Sequence, residues 1–130
     1  MIGNVSSPNW YKEETTLLGS DYLENYQLFV DEILEQGEVW GIVQDDGWAI
    51  CDSEEDDTKT VIPFWSSSEL AAVHCSGEWL EYKPEKIDLQ DFVEEWLPGM
   101  KKDLVLLGPN WNNEMEGLEI EPSELISMFK

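Results

Sequence analysis

Between Tyr22 and Leu34 the apolar side chains of Tyr22, Leu23, Tyr26, Phe29, Val30, Ile33 and Leu34 return at steps of three and four, with Glu24, Asp31, Glu32 and Glu35 between them. That spacing draws one apolar stripe along a helix. Ser20 is the expected cap at its start, and Gly37 the expected left-handed residue just past its end. Residues 1–19 mix Asn, Ser, Pro and Gly with scattered apolar side chains and follow neither period. They read as an irregular leader to a domain spanning 20–130.

After Gly37 the period shortens to two. Glu38–Val43 faces Trp48–Cys51 across Gln44-Asp45-Asp46-Gly47, and an Asp-Gly pair between β-prone runs predicts a hairpin. Thr60–Trp65 reads as a third strand, with Pro63 placing it at an edge or a strand end because proline cannot donate to a ladder. Ser66 with Glu69 forms a capping box that opens a short helix through Leu70, Ala71 and Val73, closed by Gly77. Asp88 opens another helix, whose Leu89, Phe92, Val93, Trp96 and Leu97 share a face and which Pro98-Gly99 is expected to stop. Leu104–Leu107 is continuous enough in apolar character for a buried strand, and Leu118–Ile120 alternates like one. Pro122 then starts a last helix carrying Leu125, Ile126 and Phe129. Strands and helices interspersed around an antiparallel hairpin predict a single α+β domain, with a mixed or antiparallel sheet of about five strands and about four helices packed on it.

At 130 residues, with Leu, Ile, Val and Phe making up about a quarter of the chain and seven tryptophans besides, core material is ample for one such domain. Charge narrows the functions available. Twenty-nine acidic residues against seven lysines and no arginine leave a formal net charge of −22. A phosphate backbone is repelled by that surface and finds no guanidinium fork on it, so nucleic-acid binding is excluded. No apolar run approaches the length that spans a bilayer, and the first residues lack the basic-then-apolar order of a secretion signal, so a cytoplasmic setting without membrane contact is expected.

Candidate chemistry is sparse. His74, the only histidine, adjoins Cys75 on the short helix, but adjacent helical positions diverge by about 100° and no paired-cysteine spacing accompanies them. Cys51 and Cys75 are therefore expected as small core residues and His74 as a half-exposed one; neither a metal nor a cofactor is implied. The run Asp52, Ser53, Glu54, Glu55, Asp56, Asp57 fails the calcium-loop pattern, since Asp57 falls where Gly is needed and Pro63 where Glu is needed. It is expected to be an exposed, mobile loop that folding does not require. Trp40 and Ile42 alternate with Val39 and Val43, so they form a second apolar face that a helix must cover or a partner must bind.

Several ordered motifs resemble a known family: Val39-Trp40-Gly41, Asp46-Gly47-Trp48-Ala49, Ile62-Pro63-Phe64-Trp65, Ile87-Asp88-Leu89 with Phe92, and Trp96-Leu97-Pro98-Gly99-Met100. Together they look like the bacterial domain-of-unknown-function family 2750 over roughly residues 20–129. That resemblance implies no activity, catalytic residue or cofactor. The order of elements from Val61 to Leu70 and from Leu104 to Asn110 resembles, more loosely, the amino-terminal domain of the enhanced-serine-sensitivity proteins, from which no function follows.

Two expectations remain. From Glu13 to Asp57 there are 15 acidic residues and no Lys or Arg. A field of that kind accelerates capture of a cationic partner by roughly 10–10³-fold, so a non-enzymatic interaction module is expected, an immunity-like inhibitor of a basic protein being its concrete form. Its contact residues are expected among Trp40, Trp48, Trp65, Asp45, Asp46, Asp52, Glu54, Glu55, Asp56 and Asp57. The alternative is a small-ligand-binding protein or hydrolase with a cleft lined by Trp40, Trp48, Trp65 or Trp79 and Asp46 or Asp52 as general base, which requires a buried acid in a concave pocket.

Overall fold

The computed structural model describes residue 18 and residues 21–45, 47–56, 58–75, 79–112 and 114–129. Helix α1 (Tyr22–Gln36) follows the predicted stripe and buries Tyr26, Phe29 and Ile33. Its cap is Asp21, whose carboxylate accepts from the Glu24 N–H at 3.1 Å; Ser20 lies outside the described residues. Gly37, at φ 72°, returns its N–H to the Ile33 carbonyl and ends the helix as expected.

Strands β1 (Glu38–Gln44) and β2 (Gly47–Trp48) form the hairpin, with Val43 opposite Trp48 and Gln44 opposite Gly47. The second arm is split, however. Trp48 stays beside β1, and after Ala49 the chain leaves for β3 (Cys51–Asp52), which pairs with β4 (Thr60–Phe64) in another sheet. The expected single sheet is thus two sheets of three strands: β2-β1-β5, with β5 at Lys83–Asp88, and β3-β4-β6, with β6 at Val105–Pro109. One pair of backbone bonds joins them, Trp40 N–H to the Trp65 carbonyl (2.8 Å) and Trp65 N–H to the Trp40 carbonyl (2.6 Å).

Strand β4 is central, antiparallel to β3 and parallel to β6, and of the two expected placements for Pro63, an edge or a strand end, the second holds: it adjoins Phe64, the last residue of the strand. Pro63 is tolerated because alternation turns it to the same side as Val61, which pairs with Cys51, and Trp65, which pairs with Trp40, and it falls in the gap between them. Two further expectations need correction. The helix opened by Asp88 does not stop at Pro98-Gly99: α3 is α-helical over Leu89–Asp91, π-helical over Phe92–Trp96 and α-helical again over Leu97–Asp103. Leu97 N–H reaches back to the Phe92 carbonyl, and Pro98, which has no N–H to give, stands in the first turn of the renewed α-helix. Leu118–Ile120 makes only one bridge, Ile120 to Leu107.

Helix α2 (Ser68–Ala72) is capped by Ser67, one residue later than expected, and Gly77 lies outside the described residues. Helix α4 (Pro122–Met128) begins at its proline. Among the described residues these are the four helices.

Both faces of the strands are covered. Val39, Phe64 and Leu107 join α1, α3 and α4 in one core through Phe29, Ile33, Phe92, Leu97 and Leu125. Ile42, Val61, Trp65 and Leu106 face the other way, onto Leu70 and Ala71 of α2 and onto Trp111. The second apolar face inferred from Trp40 and Ile42 therefore exists, and α2 covers it at Ile42. A small polar network lies between the layers. Asn110 Nδ2 donates to the Asn25 carbonyl (3.2 Å) and to Ser66 Oγ (3.1 Å), its Oδ1 accepts from the Ser66 N–H (3.0 Å), and Ser66 Oγ donates to Glu32 Oε1 (2.5 Å). Tyr26 donates to Glu124 Oε2 at 3.2 Å, tying α1 to α4; burial and that carboxylate push its pKa up to about 12.

Candidate functional site: an acidic cleft

Ser53 is the one buried residue in the run 52–56, and the loop is built around it. Its hydroxyl accepts from the N–H groups of Glu55 (3.1 Å) and Asp56 (3.0 Å) and donates to Glu119 Oε1 (2.5 Å). The other oxygen of Glu119 accepts from the Glu54 N–H at 2.9 Å. Asp56 accepts from both the N–H and the hydroxyl of Thr58, which holds its carboxyl below the usual range, and Lys59 pairs with Glu121 at 3.3 Å. The turn is exposed, as expected, and hydrogen-bonded: its acceptors are Ser53, Glu119 and, within the run itself, Asp56.

The opposite wall is the loop after β6. Trp111 is wedged between Gly108 and Gly117: a Cβ on Gly108 would stand 2.5 Å from the indole, and one on Gly117 would collide with it too. Its Nε1–H donates to the Leu118 carbonyl at 2.9 Å. Asn112 Oδ1 accepts from the N–H groups of Glu114 (2.9 Å) and Glu116 (3.1 Å), so the short acidic turn has a fixed shape.

Between the two loops lies a cleft of about 440 Å³. Trp111, Met115 and Leu118 supply its apolar surface, and Asp52, Glu54, Glu55 and Glu116, all exposed, stand around it. Tyr22, the first residue of α1, closes one side and donates to Glu116 Oε1 at 3.1 Å. The hydrogen bond to Glu116, then partial burial and the nearby charges of Glu116, Glu114 and Glu54, raise the pKa of Tyr22. An alkyl stem ending in a positive charge suits such a lining: carbon against Trp111 and Met115, cation among carboxylates.

The expected contact residues divide. Asp52, Glu54 and Glu55 line the cleft, and half-buried Asp56 orders the turn behind it. Asp45 is exposed in the hairpin turn and does not line the cleft; Asp46 and Asp57 lie outside the described residues. The tryptophans do not form a common patch. Trp65 is fully buried, donating from Nε1 to the Trp111 carbonyl, so it shows no face to a partner. Trp48 is half-buried edge-on to Trp96 at 4.7 Å, in the other core. Trp40, also half-buried, borders a small hollow with Glu32, Glu38 and Ser66. None of Trp40, Trp48, Trp65 and Trp79 lines the cleft with Asp52, and among the described residues no carboxylate is buried. Sequence reading missed Tyr22, Trp111, Met115, Glu116 and Glu119; the available signal was the Asn-, Gly- and Glu-rich stretch after an apolar strand, a composition that marks a loop.

His74 and Cys75 also differ from expectation. His74 is buried, not half-exposed, and stacks on Trp65, while Cys75 is half-buried with its thiol pKa pushed up by burial. Among the described residues no group of three His, Cys, Asp or Glu side chains is arranged to hold a metal ion, and no helix is long and apolar enough to cross a membrane.

The fold and the cleft together define a small acidic α+β domain with a hydrogen-bonded, carboxylate-rimmed recess. Residues 26–129 match the model of the family described as "Protein of unknown function (DUF2750)", and the chain belongs to that family. No curated protein and no solved structure matches it.

Proposed function

We propose that the protein is a non-enzymatic binding module that captures a basic protein through this acidic face, acting as an immunity-like inhibitor that occupies the cationic surface of its target. The observation that carries the reading is the cleft itself, where two acidic loops far apart in sequence have their backbones fixed by Ser53, Glu119 and Asn112 around an apolar recess, with exposed carboxylates standing on them. A backbone already ordered loses less entropy on binding than a free loop, and the net charge of −22 adds long-range attraction for a cation. A general acid or base at neutral pH would call for a sequestered carboxyl group, and the carboxylates around the cleft are open to water except for half-buried Glu119, whose two oxygens are engaged by the turn. A cytoplasmic setting is part of the proposal, Cys75 being kept as a thiol.

Affinity capture at low and high salt, followed by stopped-flow association with the recovered partner, tests this. The partner is expected to be basic, and its association rate to fall steeply as the Debye length shrinks to about 8 Å near physiological ionic strength. Glu54→Gln with Glu116→Gln is expected to slow association without changing the melting temperature. A partner set containing no basic protein overturns the reading.

A further inference from the structure

Two residues near the end of α3 run against the local rules of stability. Gly99 lies inside the α-helical stretch Leu97–Asp103, is exposed, and would meet nothing within 4 Å if it carried a Cβ, so alanine would fit there and make the better helix. Leu104 caps that stretch at φ 61°, a left-handed conformation that glycine or asparagine adopts at lower cost, and its aliphatic side chain is 67% exposed. Neither choice serves the core. Departures of this kind that bring the fold no gain point to function.

Gly99 borders a recess, and Leu104 adjoins that recess in the chain. Gly99 lines a groove of about 390 Å³ whose floor is Ile62, Trp96, Met100 and Val105; Asp103 lines it as well, and Leu104 sits between Asp103 and Val105 in the chain. The missing side chain at Gly99 leaves the groove open. Trp96 is the last residue of the π-helical segment, and its ring is held edge-on by Trp48 at 4.7 Å and by Phe64 at 5.8 Å while the rest of this half-buried indole borders the groove. At the rim stand Glu95 and Asp103, both exposed. The neighbouring lysines, Lys101 and Lys102, line a separate hollow with Glu94, Pro98 and Ile126, so the groove side of the helix is acidic and its other side basic.

We propose that this groove docks an apolar side chain carried on a basic segment of a partner protein. The apolar group is taken between Trp96, Met100 and Val105, with exposed Leu104 folding over it from the edge, and flanking Lys or Arg side chains meet Glu95 and Asp103. Charge selects this occupant over a second copy of the chain, because two molecules each carrying −22 repel one another. It likewise disfavours an anionic membrane surface. The inference does not rest on the acidic cleft, which other residues line, so either site can fail alone.

The test uses the full chain and a short synthetic peptide with Leu and Lys at helical spacing, beside one version with Leu replaced by Ala and one with Lys replaced by Gln. Titration followed by amide chemical shifts is expected to perturb Ile62, Trp96, Met100, Leu104 and Val105. Both altered peptides are expected to bind at least about fivefold more weakly. Leu104→Asn, which suits the left-handed backbone better, is expected to keep the melting temperature while weakening the parent peptide by at least about fivefold. Gly99→Lys fills the groove with bulk and positive charge where the fold has room, and is expected to abolish the contact. Glu54→Gln with Glu116→Gln is expected to leave this contact intact. Shift changes confined to the acidic cleft, equal binding of the Leu-to-Ala peptide, or no binding at all overturn the proposal. Self-association of the wild type that Leu104→Asn removes would assign the groove to a second copy and overturn it too.

Discussion

His74 lies face to face with Trp65, ring centroids 4.5 Å apart and planes inclined by 30°, and the two rings share one acceptor: the Trp111 carbonyl, 3.0 Å from Trp65 Nε1 and 3.2 Å from His74 Nε2. A carbonyl only accepts, so Nε2 carries the proton. Three aromatic residues remote in sequence are thereby fastened at one point, and Trp111 is also a wall of the acidic cleft.

Burial pushes the pKa of His74 below its ordinary 6.5, with the Trp111 carbonyl opposing the shift. The unfolded state therefore binds more protons than the native state just below that pH, and stability must fall on acidification through this window. Protonation of carboxylates relieves repulsion in an acidic protein and acts in the opposite sense, so the comparison with a variant is what isolates His74. Melting temperatures between about pH 5 and 7.5 are expected to show His74→Phe losing less stability on acidification than the wild type.

Asn110 is fully buried at φ 46° and links α1, the Ser66 turn and the end of β6. Alanine would leave the Ser66 N–H and the Asn25 carbonyl without this partner and would favour the left-handed backbone less. A loss of about 2–4 kcal/mol in urea unfolding is expected for Asn110→Ala. A change under 1 kcal/mol would show that water replaces the amide at about equal strength.

Gly108 pairs with Pro63 in the parallel ladder while the Trp111 indole covers its Cα. Gly108→Ala drives a methyl group into that ring and is expected to cost about 1–3 kcal/mol. Because Trp111 also borders the cleft, the substitution is expected to change the near-ultraviolet dichroism and slow partner association. Gly99→Ala, by contrast, is expected to raise stability by about 0.5–1 kcal/mol.

In the acidic turn, stability and charge separate by residue. Ser53→Ala removes the hub for two N–H groups and for Glu119, and is expected to lower stability by about 1–2 kcal/mol. Glu54→Gln with Glu55→Gln alters exposed side chains whose backbone makes the contacts, and is expected to leave thermal melts unchanged. Equal losses in both variants would show that the carboxylates themselves order the turn.

Where a local pattern had a single physical solution, it was legible in the chain. The stripe through Tyr26, Phe29 and Ile33, the left-handed Gly37, the hairpin turn before Gly47 and the proline start at Pro122 each depend on residues within a turn or two. The alternation of Val39 with Trp40 likewise predicted two apolar faces on β1, and the packing decided that a helix covers the second at Ile42. Lys83–Asp88 was not legible as a strand, being polar and holding Pro84; it pairs along six residues of β1 because that strand's free edge is there to receive it. The split of the second hairpin arm at Ala49, and the π-helical passage ahead of Pro98, depend on the neighbours each segment meets rather than on its own period. The acidic cleft depends on the same thing. Glu119 reaches the Glu54 backbone across 65 positions of sequence, and Tyr22 reaches Glu116 across 94. Periodicity and turn chemistry are short-range, so they specify elements and faces, whereas the meeting of two loops is settled only when the strands and helices that carry them pack together.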